Sequence, residues 1–287
     1  PQENPNGTDK PAGYLTVTFD KGKHGELSGK TVYYVKPNKE VTVPAPTVTP
    51  STGYEFEKWD KELTQTFAED TTITAGYKTL DNIIPQKNTD GSDRPSGYKT
   101  VRFVGEHGTL AVDTVFYVNP EKVVDFTNTV NGFTKTPDFS YTDVGGTWSS
   151  EEFNKKFTDD TTFTFTFKKL GNVIPQKNPN GTTNDQPQGY VKVTLIPTAK
   201  ATDDTKENKV FFVNPKETVE IKNKPQGKEI TANGSKSSFK FIGWTVTRGS
   251  IASWPGEAIS GKFIEETEIT AKYEFTWINI VKEPIAE

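Results

Sequence analysis

Internal repetition constrains the fold of this chain more than any other feature of its sequence. A motif of the form Pro-Gln-x-Asn-x-Asn/Asp-Gly occurs three times, at residues 1–7, 85–91 and 175–181. Each copy leads through a polar stretch to a Gly-Tyr pair, at Gly13-Tyr14, Gly97-Tyr98 and Gly189-Tyr190. The 287 residues are therefore predicted to form three small units in tandem and not one large domain.

Each predicted domain consists of a linker and a folded core. The domains span residues 1–84 with a core at 13–78, residues 85–174 with a core at 97–168, and residues 175–287 with a core at 189–275. The linkers are rich in Pro, Asn, Asp, Gly and Thr, so we expect them not to collapse. Their apolar starts, Ile83-Ile84 and Val173-Ile174, are expected to dock on the preceding unit. Asn279-Ile280-Val281 repeats that pattern, so we expect another unit or a different domain beyond it.

Polar and apolar residues alternate directly after each Gly-Tyr pair. The apolar positions are Val17 and Phe19, Val101 and Phe103, and Val193 and Leu195. A period of two predicts a half-buried β-strand. Further alternating runs follow in each repeat, whereas no long amphipathic helix is evident, and residues 61–65 and 151–156 suit one short helical turn each. The pattern predicts a mainly β protein and leaves an α+β fold open.

One tryptophan stands at a corresponding place in each repeat, and these are Trp59, Trp148 and Trp244. We assign them to the repeat cores, together with Val17, Phe19, Val101, Phe103 and Val193. Trp254 has no counterpart and lies in an insertion of the third repeat that begins at Arg248. An aromatic side chain on a unique loop is a candidate for contact with a partner, as is the arginine beside it. Packing of Trp254 onto its own repeat is the equal alternative.

Composition excludes several classes of function. With 34 Lys and Arg against 38 Asp and Glu, the net charge of −4 is too small to attract nucleic acid, and no basic cluster stands out. The chain has no Cys, and no apolar run approaches the ~18–20 residues that membrane insertion requires. It also has no Met, even at position 1, so we expect an internal fragment of a longer protein.

The residues suited to catalysis or metal binding are few. His24 and His107 share one turn position and have no partner at ligand spacing, so we interpret them as turn residues. We therefore predict no catalytic residue, no cofactor and no metal site, and hence no enzyme. Calcium at Asp90 and Asp93 or at Asp203-Asp204 stays a minor alternative, as do intramolecular Lys–Asn isopeptide bonds.

A longer signature accompanies these residues in the first and third repeats. In the first it reads Gly53-Tyr54-Glu55-Phe56-Glu57-Lys58-Trp59 and then Thr72-Ile73-Thr74-Ala75-Gly76-Tyr77, and in the third it occupies residues 239–244 and 269–273. The order resembles the repeats of Gram-positive cell-wall surface proteins: the Listeria–Bacteroides repeat, the related internalin B repeat, and the tandem repeats of streptococcal and anaerobic-coccus adhesins. The resemblance covers most of each unit and implies a small β-grasp-like or related mixed-β fold.

Two functions fit a non-enzymatic array of this kind. The repeats could form an elongated stalk that projects an adhesive domain from the bacterial cell wall, or they could themselves bind a host matrix protein, glycoprotein, immunoglobulin or glycan. Divergence at the third-repeat loop and at the Gly145-Gly146 insertion favours the second. Both readings predict an extracellular, wall-anchored, monomeric protein with further domains in the parent chain.

Overall fold

The computed structural model describes residues 1–232, 235–249 and 253–278. Strands make up 52% of the described residues, which confirms the prediction of a mainly β protein. The helix α1 (Thr127–Gly132) is six residues long and is the one α-helix in the described part of the chain. Two compact units are present, Pro1–Thr136 with Gly146–Thr166 and Pro137–Gly145 with Phe167–Glu287.

The first repeat forms one four-stranded sheet and two strand pairs. Its strands are β1 (Leu15–Asp20), β2 (Gly25–Ser28), β3 (Val32–Val35), β4 (Glu40–Thr42), β5 (Thr47–Pro50), β6 (Tyr54–Trp59), β7 (Thr64–Thr66) and β8 (Thr71–Thr79). The sheet has the order β3-β1-β8-β6, and its central strands β1 and β8 run parallel. The strands β2 and β5, and β4 and β7, pair separately.

The second repeat follows the same plan, with one addition at its edge. Its elements are β9 (Ile83–Pro85), β10 (Lys99–Glu106), β11 (Gly108–Ala111), β12 (Val115–Val118), β13 (Val124–Asp125), α1, β14 (Thr134–Pro137), β15 (Tyr141–Trp148), β16 (Asn154–Lys155) and β17 (Thr161–Lys169). The sheet order is β15-β17-β10-β12-β9, again with a parallel pair, β10 and β17, inside the sheet. Beside it, β11 pairs with β14 and β13 with β16.

The third repeat has the largest sheet. Its strands are β18 (Val173–Pro175), β19 (Val191–Ile196), β20 (Lys209–Val213), β21 (Val219–Lys222), β22 (Glu229–Ala232), β23 (Ser235–Arg248), β24 (Ser253–Pro255), β25 (Ala258–Gly261) and β26 (Thr267–Ile278). The main sheet has the order β18-β20-β19-β26-β23-β22, with β24 paired to β23. The 14 residues of β23 and the 12 of β26 carry this sheet well past its core.

Alternation places one face of each first strand in a core. Val17, Val101 and Val193 are fully buried. Three hydrophobic clusters result, one around Val17 and Phe19, one around Phe103 and one around Trp244. Aromatic rings fill these small cores: Phe103 stacks on Phe163 with ring centroids 5.3 Å apart. Large flat side chains bury much area per residue, which suits units with few strands.

Two predictions about local structure are wrong. Residues 61–65 and 151–156 do not form helical turns, because they contribute β7 and β16 to short strand pairs. The helix α1 lies elsewhere, and its Val130 and the flanking Phe126 are buried in the second core. Tertiary packing thus decides these short elements, since their own sequences are too short for a stable helix.

The linkers also differ from expectation. Their apolar starts do not dock on the preceding repeat but form β9 and β18, which pair with β12 and β20 of the following repeat. Ile83 packs on the second core and Val173 on the third. The polar parts fold into ordered loops, so the expectation that the linkers stay uncollapsed is wrong as well.

A backbone conformation at Val112 yields a stability prediction. Val112 follows β11 with φ +84° and is exposed, and Gly29 follows β2 at the matching place with φ +103°. A β-branched residue in this left-handed region is strained, whereas Gly is not. Val112→Gly is expected to stabilise the second repeat by about 1 kcal/mol, measured by amide exchange in β10 and β17 under mild denaturant.

The matched substitution Gly29→Val should destabilise the first repeat by a similar amount. An added Cβ at Gly29 meets no atom within 4 Å, so backbone strain alone would act there. Unchanged exchange in both variants would contradict this account.

Candidate functional site at the repeat junctions

The most elaborate recurring arrangement in the chain is the place where a linker strand joins the next repeat. The antiparallel strand β9 sets Ile83 opposite Val118 and Ile84 opposite Tyr117. In the same register, β18 sets Val173 opposite Val213. Each linker therefore adds an edge strand to the sheet that follows it, and the strand is held both by backbone bonds and by the packing of Ile83 or Val173 on the core beneath it.

A tyrosine and a backbone amide fix the start of each linker strand. The Tyr98 hydroxyl donates to the Asp81 carbonyl at 2.9 Å, and the Tyr190 hydroxyl donates to the Gly171 carbonyl at 3.1 Å. Both tyrosines are 2% exposed, and burial raises the pKa of the Tyr98 hydroxyl. The Gly-Tyr pairs that open the second and third repeats thus hold the chain end of the repeat before them.

Asparagines after β12 and β20 add further contacts. The Asn119 amide donates to the Asn82 carbonyl at 3.0 Å, and the Asn214 amide donates to the Asn172 carbonyl at 2.9 Å. Both side chains are buried. At the first junction Gly53, at φ +88°, leaves room for the Asn119 side chain, because an added Cβ would lie 2.9 Å from its Nδ2.

At the second junction Ser140 stands in the place of Gly53. A hydrogen bond and a ring contact are found there. Ser140 adopts φ +69°, and its hydroxyl accepts a bond from Asn214 Nδ2 at 3.1 Å. The neighbouring Phe139 ring lies 5.8 Å from the Tyr190 ring and 4.1 Å from the Lys216 ammonium. The cation–π contact and the buried tyrosine strengthen this junction.

The polar part of each linker folds into the same loop. The amides of Gly7, Gly91 and Gly181 each donate to the carbonyl three residues earlier at 2.9 Å. Side chains of Asn6, Asp90 and Asn180 then accept from the backbone amide two residues later. Asn and Asp close such turns through their own side chains, so composition that predicts disorder here encodes a turn.

A hydrogen bond between two side chains joins the loop to the hairpin in the first and second repeats. The Tyr34 hydroxyl donates to Asp9 at 3.3 Å, and the Tyr117 hydroxyl donates to Asp93 at 3.0 Å. A backbone bond from Lys87 lowers the pKa of the Asp93 carboxyl, and the Tyr117 hydroxyl lowers it further. The third repeat has Phe212 and Thr183 at these positions, and the neighbouring Asn184 Nδ2 donates to the Pro175 carbonyl at 2.7 Å instead.

The candidate partner contacts lie on the third repeat. Trp254 is half-buried against the third core, its indole donates to the Ser260 carbonyl at 3.1 Å, and its ring lies 6.4 Å from that of Phe263. Arg248 is exposed and lies 3.6 Å from Glu268. The packing of Trp254 onto its own repeat is therefore real, and a role for either residue in binding stays a prediction.

The remaining candidate residues occupy structural places. Trp59 and Trp148 are partly buried against their cores, and Trp244 is fully buried. His107 lies in its turn at φ +66°, and the His24 ring stacks on Tyr54 at 3.7 Å. Across the described ranges, no group of three or more His, Asp or Glu side chains lies close enough to hold a metal ion. Nor does any described helix have the length and apolarity of a membrane span.

One exposed aromatic surface was not predicted from the sequence. On β26, Phe275 and Trp277 continue the inward-facing row past the core, with Trp277 69% exposed, and their rings lie 5.1 Å apart. Phe275 also lies 5.1 Å from Phe239 on β23. The signal was the alternation Tyr-x-Phe-x-Trp at residues 273–277, which extends beyond the place where the first repeat's closing strand ends.

Comparison with known proteins gives a family match for the first repeat. Residues 15–81 match the family described as the divergent InlB B-repeat domain. The match confirms the resemblance to internalin B repeats and indicates the repeat region of a bacterial surface protein. No curated protein matches the sequence.

Removal of the Tyr98 hydroxyl tests whether this side chain stabilises the first junction. Tyr98→Phe leaves the Asp81 carbonyl without its buried donor, so we expect a loss of about 1 kcal/mol at the junction. Amide exchange measured by NMR should then quicken roughly fivefold at Ile84, whose backbone faces β12.

Tyr14→Phe is the matched control, because Tyr14 opens the first repeat and is only half-buried. It should leave exchange in β9 unchanged. Equal behaviour of the two variants would contradict the assignment of Tyr98 to the junction.

Proposed function

We propose that this chain is a non-enzymatic stalk region of a wall-anchored bacterial surface protein, in which elongated tandem repeats project an adhesive domain. The observation that carries the proposal is the use of each linker as an edge strand of the next sheet. A linker fixed in this way is held against the repeat that follows it, which favours a spacer over repeats joined by free polar linkers. The match at residues 15–81 supports the surface location.

The repeats support this role through what they have in common. Their shared residues are apolar core positions, turn residues and junction contacts such as Tyr98 and Tyr190. A β-grasp-like unit fits the sheet order of the first repeat, in which the parallel strands β1 and β8 lie between β3 and β6. Among the described residues, the recurring polar contacts hold turns and junctions in place, which suits a spacer more than a chemical site.

Small-angle scattering of the full chain tests the stalk. We expect a monomeric, elongated particle with a longest dimension on the order of 100 Å. Ile83→Asp places a charge against the second core and should loosen the first junction, which broadens the distribution of interatomic distances.

Ile264→Asp is the matched control, because Ile264 is 69% exposed and lies outside the junctions. Its scattering should equal that of the original chain. A compact particle for the unmodified chain would refute the stalk.

A second candidate function is binding to a host protein or glycan, and the exposed Phe275 and Trp277 favour it. Neighbouring exposed aromatic side chains are common in the central contacts of interfaces. If this surface binds, the chain should capture a host plasma or matrix protein, and Phe275→Ser with Trp277→Ser should lose that capture.

The control for the binding test combines Ile264→Ser with Val144→Ser, since both residues are exposed and apolar elsewhere. Capture that survives the loss of both aromatic side chains, or no capture at all, would rule out this surface as the binding site.

A further inference from the structure

The hairpin of the first repeat ends in a sheet edge whose backbone groups face outward. The Phe19 amide bonds to the Thr31 carbonyl at 2.7 Å, and Tyr33 lies opposite Val17 on β1. Because hydrogen bonding alternates along an antiparallel strand, Val32, Tyr34 and Lys36 direct their backbone groups away from β1. In the described part of the sheet, β3 is the edge strand.

The same edge is occupied in the other two repeats. There β9 covers β12 and β18 covers β20, and the residue after each linker proline completes the ladder. The Gln86 amide donates to the Val115 carbonyl at 2.9 Å, and the Gln176 amide donates to the Val210 carbonyl at 2.8 Å. In the first repeat the Gln2 amide already donates to the Val32 carbonyl at 2.8 Å, so the end of this ladder exists there too.

The side chains at this edge are more exposed in the first repeat than in the second. Tyr117 is 1% exposed beneath β9, whereas its counterpart Tyr34 is half-buried. Tyr98 is buried where it holds the end of a preceding repeat, whereas its counterpart Tyr14 is half-buried. The first repeat therefore presents the surfaces that a linker strand covers in the second.

We propose that the outer edge of β3 is a strand-acceptor site for an extended segment of the type Asn-Ile/Val-Ile. The segment runs antiparallel to β3, its first aliphatic residue lies opposite Val35, and its second lies opposite Tyr34. The preceding asparagine carbonyl accepts a bond from the Lys36 amide, as Asn82 does from Asn119. Lys36 replaces that asparagine, but the bond uses only the backbone.

The chemistry of the occupant follows from the two segments that already fill this place. Asn82-Ile83-Ile84 and Asn172-Val173-Ile174 share an asparagine and two adjacent aliphatic residues. Both are followed by a proline and a glutamine, and the first repeat has the same dipeptide at Pro1 and Gln2. Strand addition gives affinity through backbone bonds and selectivity through the side chains that reach the pockets.

A grafted chain tests the proposal. The five residues Leu-Asp-Asn-Ile-Ile, copied from positions 80–84, are placed directly before Pro1, so that they precede it as they precede Pro85. We expect NMR amide exchange at Tyr34 and Lys36 to slow at least about tenfold relative to the original chain.

The control graft carries Asp in place of both isoleucines and should leave exchange at Tyr34 and Lys36 unchanged. Equal protection by the two grafts would show that the edge accepts any chain, which overturns the proposed selectivity. No protection by either graft would overturn the site itself. Protection that rises with concentration in the ungrafted chain would show that a second copy is the occupant instead.

Discussion

An unpaired sheet edge exposes a row of backbone donors and acceptors, and in this protein the linkers cover that edge. The hairpin of each later repeat receives its outermost strand from the linker before it, as β12 receives β9 and β20 receives β18. The backbone bonds satisfy the edge, and Ile83 and Val173 add apolar contacts to the following core. A repeat and its upstream linker are therefore one structural element, although the chain between repeats is polar.

The remaining junction contacts protect this strand. Tyr98 and Tyr190 hold the residue that precedes the linker asparagine, and the Asx turns keep the polar loop folded over the hairpin. The loops differ in how they contact the hairpin. Tyr117 with Asp93 gives a hydroxyl–carboxylate bond, whereas the third loop uses a bond from the Asn184 side-chain amide to the Pro175 carbonyl.

Departures from uniformity concentrate in the third repeat. The strands β23 and β26 extend past the core, and the inward row of alternation then has no core to face. Phe275 and Trp277 are exposed for this reason, whereas Trp254, the residue first singled out as a candidate contact, packs beside Phe263. Exposure of an aromatic side chain depends on where a sheet outgrows its core, which loop position in the sequence does not reveal.

The sequence by itself determined the recurring motif, the strand alternation and the core positions that follow it, because recurrence and a period of two are local properties of the chain. Val17, Phe19, Val101, Phe103 and Val193 are buried for that reason. Only the tertiary structure decided which repeat receives each linker strand. Ile83 is adjacent in sequence to the repeat before it, but the edge that it completes, at Val118, lies 35 residues downstream. An apolar pair indicates burial without indicating the partner, since the free energy of burial has no direction along the chain.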